Sequence, residues 1–452
     1  MKYPAAARET YLWGMLFLFC LFFSTCPVKA ETKKCQESRS SSVCDPAKNH
    51  PPPEVSVHYG INLITQHLFP FRSPYEGPNS LFSESNTQTT NFDWLSLRFH
   101  PFSNLKFQVD YQSGRGLGVG NPDSTGLAGY VNGDAIRISS IGTAPYFARY
   151  FLQWKQPLTP DSNVTVDFGK LAVTDIFDTN RYADNPNTQF LNWGLINNLA
   201  YDYAADTQGY SKGIALQWVH PNWILKMGSF EEPVSANSPF LSNDLANNHG
   251  DQIELDKMFG NLSNPIVVRF LAYENHAHMG NYQKSLEIAA LTHTVPNIHD
   301  SEIVGAVKYG FGLNFEIPLA NHGNTGIFGR WGWNNDQTES FAYTEAGQTF
   351  SLGGQISGAN WGLPRDYIGI GTVESELSYY HREYLAEGGL GFQLGDGALD
   401  YAPEKILEIY YDHQFTKSLS LSPDFQWIED PGYNAARGPV SVIGIRLDFR
   451  GG

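Results

Sequence analysis

The chain has 452 residues, with 30 Lys and Arg against 46 Asp and Glu, and a formal net charge of −16. That acidity argues against a nucleic-acid partner, which would call for a basic surface. Length alone admits two or three soluble domains, yet no linker breaks the pattern between residues 55 and 452, so one large closed β-structure accounts for the chain better.

Residues 1–30 carry Lys2 and Arg8, then the apolar run Tyr11 to Phe23, then the small-residue end Pro27 to Ala30, with Val28 and Ala30 where a signal peptidase reads. This predicts an exported chain whose leader is removed. The run of about a dozen apolar residues is too short to span a bilayer, and nothing after Ala30 offers eighteen uninterrupted apolar residues. Residues 31–54 form a polar tail that holds Cys35 and Cys44 and ends Pro-rich. Export favours a disulfide between the two that closes a small loop, whereas a zinc pair would need two more ligands at short spacing.

From Val55 the sequence has period two. In 92–111, Leu95, Leu97 and Phe99 share one face and Trp94, Ser96 and Arg98 the other; after the turn at Pro101 to Asn104, Leu105, Phe107, Val109 and Tyr111 oppose Lys106, Gln108 and Asp110. Similar hairpins recur at 148–171, 213–230, 252–273, 307–333, 350–371 and 405–428, with a final strand at 439–449. A soluble sandwich alternates too. Here the apolar face is aliphatic and aromatic throughout, and the opposite face mixes Gly, Ser, Asn, Gln and isolated charges. Tryptophans such as Trp154, Trp218, Trp223, Trp331, Trp333 and Trp427 sit near strand ends. Tight turns (HPFSN, TPDSN, HPN, ANHGN, FTKS) alternate with long segments at 112–146, 172–211, 231–250, 274–302 and 334–348. That asymmetry predicts an all-β fold, a transmembrane antiparallel barrel of roughly sixteen strands over residues 55–452, located in an outer membrane and enclosing an aqueous channel. The segment 172–211, polar and aromatic, is too long for a plain connection and is expected to fold into the barrel and narrow it.

The stretch GKLAVTDIFDTNRYADNPNTQFLNWGLINNLAYDYAADTQGY (169–210) resembles the carbohydrate-selective porins of the OprB family. The resemblance continues at ALQWVHPNWILKMGSF (215–230), GRWGWNNDQTESFAYTEAGQTFSLGGQISGANWG (329–362), REYLAEGGLGFQLGDG (382–397), APEKILEIYY (402–411) and NAARGPVSVIGIRLDF (434–449). One departure is the end of the chain, where Arg450, Gly451 and Gly452 follow Phe449 in place of a terminal aromatic residue. The resemblance implies passive diffusion of monosaccharides and related small solutes, without a cofactor and without catalysis. A homotrimer and a monomer are equally compatible with these residues.

A pore that selects a sugar should set charged hydrogen-bonding groups beside an aromatic platform and hold the solute weakly. Strand parity turns Arg98, Arg149, Asp167, Lys226, Arg269, Glu316, Arg330, Glu408 and Arg446 away from the lipid, and the 172–211 insert adds Asp178, Arg181, Asp184, Trp193, Asn197 and Asn198. The expected constriction sets Arg98 and Arg149 across from the insert, with Trp193 as stacking surface and Asp167, Asp178, Arg181, Arg269 and Glu316 as further solute contacts. The plainer readings are lumen wall charges that only wet the pore, and pairing of Asp178, Arg181 and Asp184 that fixes the insert to the wall. His276 with His278 and His293 with His299 read as solvated loop histidines, and GRGLGVGN (114–121) lacks the helix and Lys-Ser/Thr of a phosphate cradle. Competing classes are an outer-membrane barrel hydrolase, for which no G-x-S-x-G elbow is found, a soluble carbohydrate-active protein and a general porin.

Overall fold

The computed structural model describes residues 53–120, 125–139, 145–341 and 345–452. The leader and the Cys35, Cys44 tail lie outside the described residues. Sixteen strands form one closed barrel in which each pairs antiparallel with its chain neighbours. The first half comprises β1 (Glu54–Leu68), β2 (Asn86–Phe102), β3 (Leu105–Gly116), β4 (Tyr146–Thr159), β5 (Ser162–Leu171), β6 (Ser211–His220), β7 (Trp223–Glu231) and β8 (His249–Phe259). The second comprises β9 (Ile266–Met279), β10 (Ile303–Ala320), β11 (Thr325–Asn334), β12 (Gln348–Ser357), β13 (Tyr367–Glu376), β14 (Glu404–Gln414), β15 (Leu419–Glu429) and β16 (Val440–Gly451). Closure runs from Tyr59 opposite Gly451 to Leu68 opposite Val442, so the strand continues past Phe449, whose ring lies 6.2 Å from that of Tyr59.

Alternation along each strand produces an inside-out distribution. On β1, Val57, Tyr59, Ile61 and Leu63 point outward and are exposed, while Asn62 and Gln66 point inward and are buried. Such a surface is stable only against hydrocarbon, and closure leaves no unpaired edge in it. One end of the barrel carries short turns, at 103–104, 160–161, 221–222, 321–324 and 415–418. The other carries the long connections 69–85, 117–145, 172–210, 232–248, 280–302, 335–347, 377–403 and 430–439. Helices α1 (Gly133–Ser139), α2 (Trp193–Ile196), α3 (Tyr282–Thr292) and α4 (Tyr379–Ala386) all belong to these long connections.

Two local features set what faces the lumen. The β3–β4 register shifts so that Asp110 pairs Arg149 and Tyr111 pairs Phe147, leaving Ala148 as a bulge. Both Arg149 and Tyr146 therefore turn inward, whereas uninterrupted alternation would carry Phe147 into the lumen beside Arg149. The second feature is inward glycine. A Cβ on Gly332 of β11 would lie 2.0 Å from Asn198 Oδ1, and one on Gly371 of β13 would lie 2.6 Å from a methyl of Leu195. Only bare backbone lets the insert come that close.

The interior therefore differs from a plain aqueous tube. Its long-loop end holds an apolar core in which Phe177, Phe190, Leu195, Leu199 and Tyr201 of the insert pack with Tyr130, Tyr282, Leu385 and Tyr433 of other connections and with Phe328, Ile406 and Tyr410 of the wall. Several long connections fold inward, and the insert is the most deeply buried of them.

Candidate functional site

The insert is held by inward charges on β8 to β16. Arg330 of β11, 1 % exposed, sets Nε 2.9 Å from Asp178 Oδ2 and donates to the carbonyls of Leu195 (2.8 Å) and Ala183 (2.7 Å). Glu408 of β14 accepts the backbone N–H of Leu191 (2.6 Å) and Asn192 (2.9 Å). Arg446 of β16 donates to the carbonyls of Pro186 (2.6 Å) and Gln189 (2.7 Å), and Glu254 of β8 accepts the N–H of Asp178 at 2.7 Å. Glu316 of β10 takes the N–H of Arg181 at 2.8 Å and lies 3.3 Å from Arg269 Nη2. These backbone groups, on leaving water, thus meet a charged partner, which makes the bonds strong and their loss costly.

Trp193, expected as the stacking surface, is 3 % exposed. It opens α2 behind Asn192, whose side chain caps the Gly194 N–H, and the Arg137 guanidinium lies 5.9 Å from its ring. Its faces meet the packed interior, so no ring surface remains for a passing solute. Asp178, Arg269 and Glu316 are also buried and engaged with the insert or the wall. Asp178 and Arg181 do anchor the insert, but to Arg330 and Glu316 rather than to one another.

The wall from β2 to β6 is different. Arg98 of β2 and Lys106 of β3 are half-buried, and among the described residues neither makes an ion pair. Lys106 Nζ stands 4.9 Å over the ring of Phe151, which the β3–β4 register turns inward beside it. Arg149 grips Asp175, at the start of the insert, with two bonds of 2.6 and 2.7 Å, and reaches Asp110 at 3.3 Å; its guanidinium lies 5.0 Å from the Tyr210 ring. Asp175 is 44 % exposed at its side chain. Asp167 of β5 is buried but accepts only amides, from Gln153 (2.8 Å) and Gln217 (3.4 Å). Arginine, lysine and amide groups thus line one side of the lumen, and the insert's acidic edge faces them.

That edge continues through exposed Asp184, whose N–H is held by Gln189 Oε1 at 2.8 Å. The enclosing barrel desolvates it and pushes its carboxyl up to about 7, with Asp178 and Asp175 adding to the rise and Arg330 opposing it. Towards the short-turn end lies a polar cavity of about 280 Å³, lined in part by exposed Arg181, half-buried Gln189 and Tyr367, and buried Gln355 and Asp412. Of the expected contacts, Arg98, Arg149 and Arg181 therefore border open lumen, whereas Asp167 is buried and bonded to Gln153 and Gln217. Lys106, Asp175 and Tyr367 were not singled out, although Lys106 shares the parity of Gln108 and Asp110.

Among the described residues no three His, Cys, Asp or Glu side chains gather to hold a metal ion. His276 and His278 stand on β9 rather than in a loop, and His276 pairs with Glu274 at 2.8 Å on the outward face.

Residues 140–450 match the family model described as carbohydrate-selective porin, OprB family. No curated protein matches the sequence. Among solved structures, the high-pH structure of Pseudomonas putida OprB is similar with TM-score 0.68 at 14% identity, covering 88% of this chain and 94% of that one. The outer membrane channel DcaP of Acinetobacter baumannii gives TM-score 0.50 at 10% identity, covering 88% and 98%. At these identities the likeness is one of fold.

Proposed function

The chain belongs to the OprB family of carbohydrate-selective porins, and from that membership we propose that it passes monosaccharides and related small neutral solutes between the basic β2–β6 wall and the acidic edge of the insert. It is an outer-membrane channel and not an enzyme. The observation that carries the reading is the half-buried row Arg98, Lys106 and Arg149 facing Asp175. In that row charged donors, carboxylate acceptors and the Phe151 ring lie together.

A sugar presents hydroxyl donors and acceptors on its rim and C–H faces above and below. Arginine and lysine donate to its oxygens, the exposed Asp175 accepts from its hydroxyls, and an aromatic ring receives a C–H face. Farther along, Arg181, Gln189, Tyr367 and Asp412 repeat this combination around the polar cavity. Because water reaches most of these groups, each contact replaces a bond to water, so only part of its strength remains as net affinity and the solute can leave again. Passage needs no energy input.

Liposome swelling tests this reading. Proteoliposomes should swell faster in isosmotic monosaccharide than in an uncharged non-sugar solute of equal size. Equal rates would make the protein a general porin.

A further inference from the structure

At the long-loop end, the chain leaving β7 runs opposite the chain entering β8. Glu231 pairs His249, and the Glu232 N–H continues the ladder to the Asn248 carbonyl at 3.4 Å. Gly250 of β8 then pairs Asn275 of β9. Parity puts the side chains of Glu232, Asn248 and Asn275 on the inward face, with bare Gly250 between them. All three are buried, Glu232 completely.

The oxygens of this group have no donor. Glu232 Oε1 and Oε2, Asn248 Oδ1 and Asn275 Oδ1 are all buried without a hydrogen-bond partner. The orientation of Asn275 is fixed, because its Nδ2 donates to the Asp202 carbonyl; turning the amide over would set oxygen against oxygen. Two of the oxygens converge, since a Cβ on Gly250 would lie 2.8 Å from Asn275 Oδ1 and 3.1 Å from Glu232 Oε1. Charge points the same way. The neighbouring Asp202 is matched by Lys308 at 3.0 Å, which leaves the Glu232 carboxylate as the unmatched negative charge. A single proton would supply one donor for four acceptors. A hard cation accepts all four, and amide oxygens serve it as well as carboxylates do.

We propose that Glu232 and Asn275, which converge over Gly250, form with Asn248, the cross-strand neighbour of Glu232 at this end of β7 to β9, a binding site for a divalent cation of the calcium class. Oxygen-only ligands of mixed charge suit calcium, whose coordination is flexible, better than magnesium, which requires a near-octahedral shell. The cation ties the 232–248 connection to β9 and, through Asn275 and Asp202, to the insert. This site is separate from the solute path and does not depend on which solute passes.

The test uses the full folded protein in detergent, stripped with a chelator and then titrated with calcium by equilibrium dialysis. Wild type should take up calcium saturably with a dissociation constant of roughly 10⁻⁴–10⁻³ M, as expected for a site with one carboxylate. Glu232→Gln should weaken uptake by about tenfold or more, and Asn248→Asp, which adds a second carboxylate and leaves the Asn275 bond to Asp202 intact, should tighten it by a similar factor. No saturable uptake by wild type would assign Glu232 a proton instead and overturn the proposal. Equal uptake by wild type and both variants, the signature of calcium on bound lipid, would overturn it too. If Glu232→Gln does not fold, the opposite direction expected of Asn248→Asp still decides.

Discussion

On β2 to β6 the inward charges Arg98, Lys106 and Arg149 keep part of their surface open to the lumen, whereas on β8 to β16 Glu254, Glu316, Arg330, Glu408 and Arg446 are buried. The residue types and the parity are the same on both sides. What differs is the partner: on the second wall the charges meet backbone N–H and carbonyl groups of the insert, and on the first they meet the lumen and Asp175. A charged strand residue of a barrel is therefore not a pore residue by parity alone. Its role depends on whether a loop reaches it.

The comparison breaks most visibly if Arg330 is removed. Arg330→Ala leaves the Asp178 carboxylate and the carbonyls of Ala183 and Leu195 without their buried partner, a loss of about 3–5 kcal/mol for a buried charge pair. The insert should detach, single-channel conductance should rise severalfold, and the folded band on an unheated gel should disappear at lower temperature. Unaltered conductance would mean that the insert does not depend on this wall.

On the open wall the expected effect is on solutes. Arg98→Ala and Arg149→Ala should leave the barrel folded and weaken sugar block by about tenfold, since a hydrogen bond to a charged group contributes about 1.5–3 kcal/mol and each 1.4 kcal/mol is tenfold. Sugar current unchanged in both variants would move the constriction elsewhere. A smaller change belongs to Tyr367→Ala. Loss of an aromatic face, worth about 0.5–1.5 kcal/mol, should reduce discrimination between sugars severalfold and leave total conductance nearly constant.

The smallest effect is one of pH. The Asp184 carboxyl titrates at about 7 because the barrel desolvates it. Above that pH the insert edge carries one more negative charge, and below it that charge is lost. Cation preference, read from reversal potentials in a salt gradient, should fall as pH drops from about 8 to 6, and Asp184→Asn should remove the change. A pH response that survives the substitution would assign the titration to another group.

Much of this was legible in the sequence. Period two placed Arg98, Arg149, Glu316, Arg330, Glu408 and Arg446 on the lumen side, because each alternates with the lipid-facing residues of its strand, as Arg98 does with Leu97 and Phe99 and Arg149 with Tyr150 and Leu152. The length of the 172–211 segment signalled an inward fold. What it faces was not legible: its residues follow no period, so nothing local separates the buried ring of Trp193 from the exposed carboxylate of Asp184. That choice is made by distant partners, Gly133 and Arg137 in one case and open lumen in the other. The inward folding of 125–139, 377–403 and 430–439 was missed for a related reason. Glu404 of β14 gathers the N–H groups of Ala128, Gly129 and Gly432, residues some 270 positions and 28 positions away. The β4 bulge at Ala148 likewise depends on pairing with β3.

Planar-bilayer conductance of the detergent-folded protein, with and without millimolar glucose on one side, tests the central claim most directly. Stepwise channels that glucose partly blocks are expected, with the block weakened in Arg98→Ala and Arg149→Ala. Channels of normal conductance that glucose leaves untouched would contradict it, leaving the barrel without the proposed sugar path.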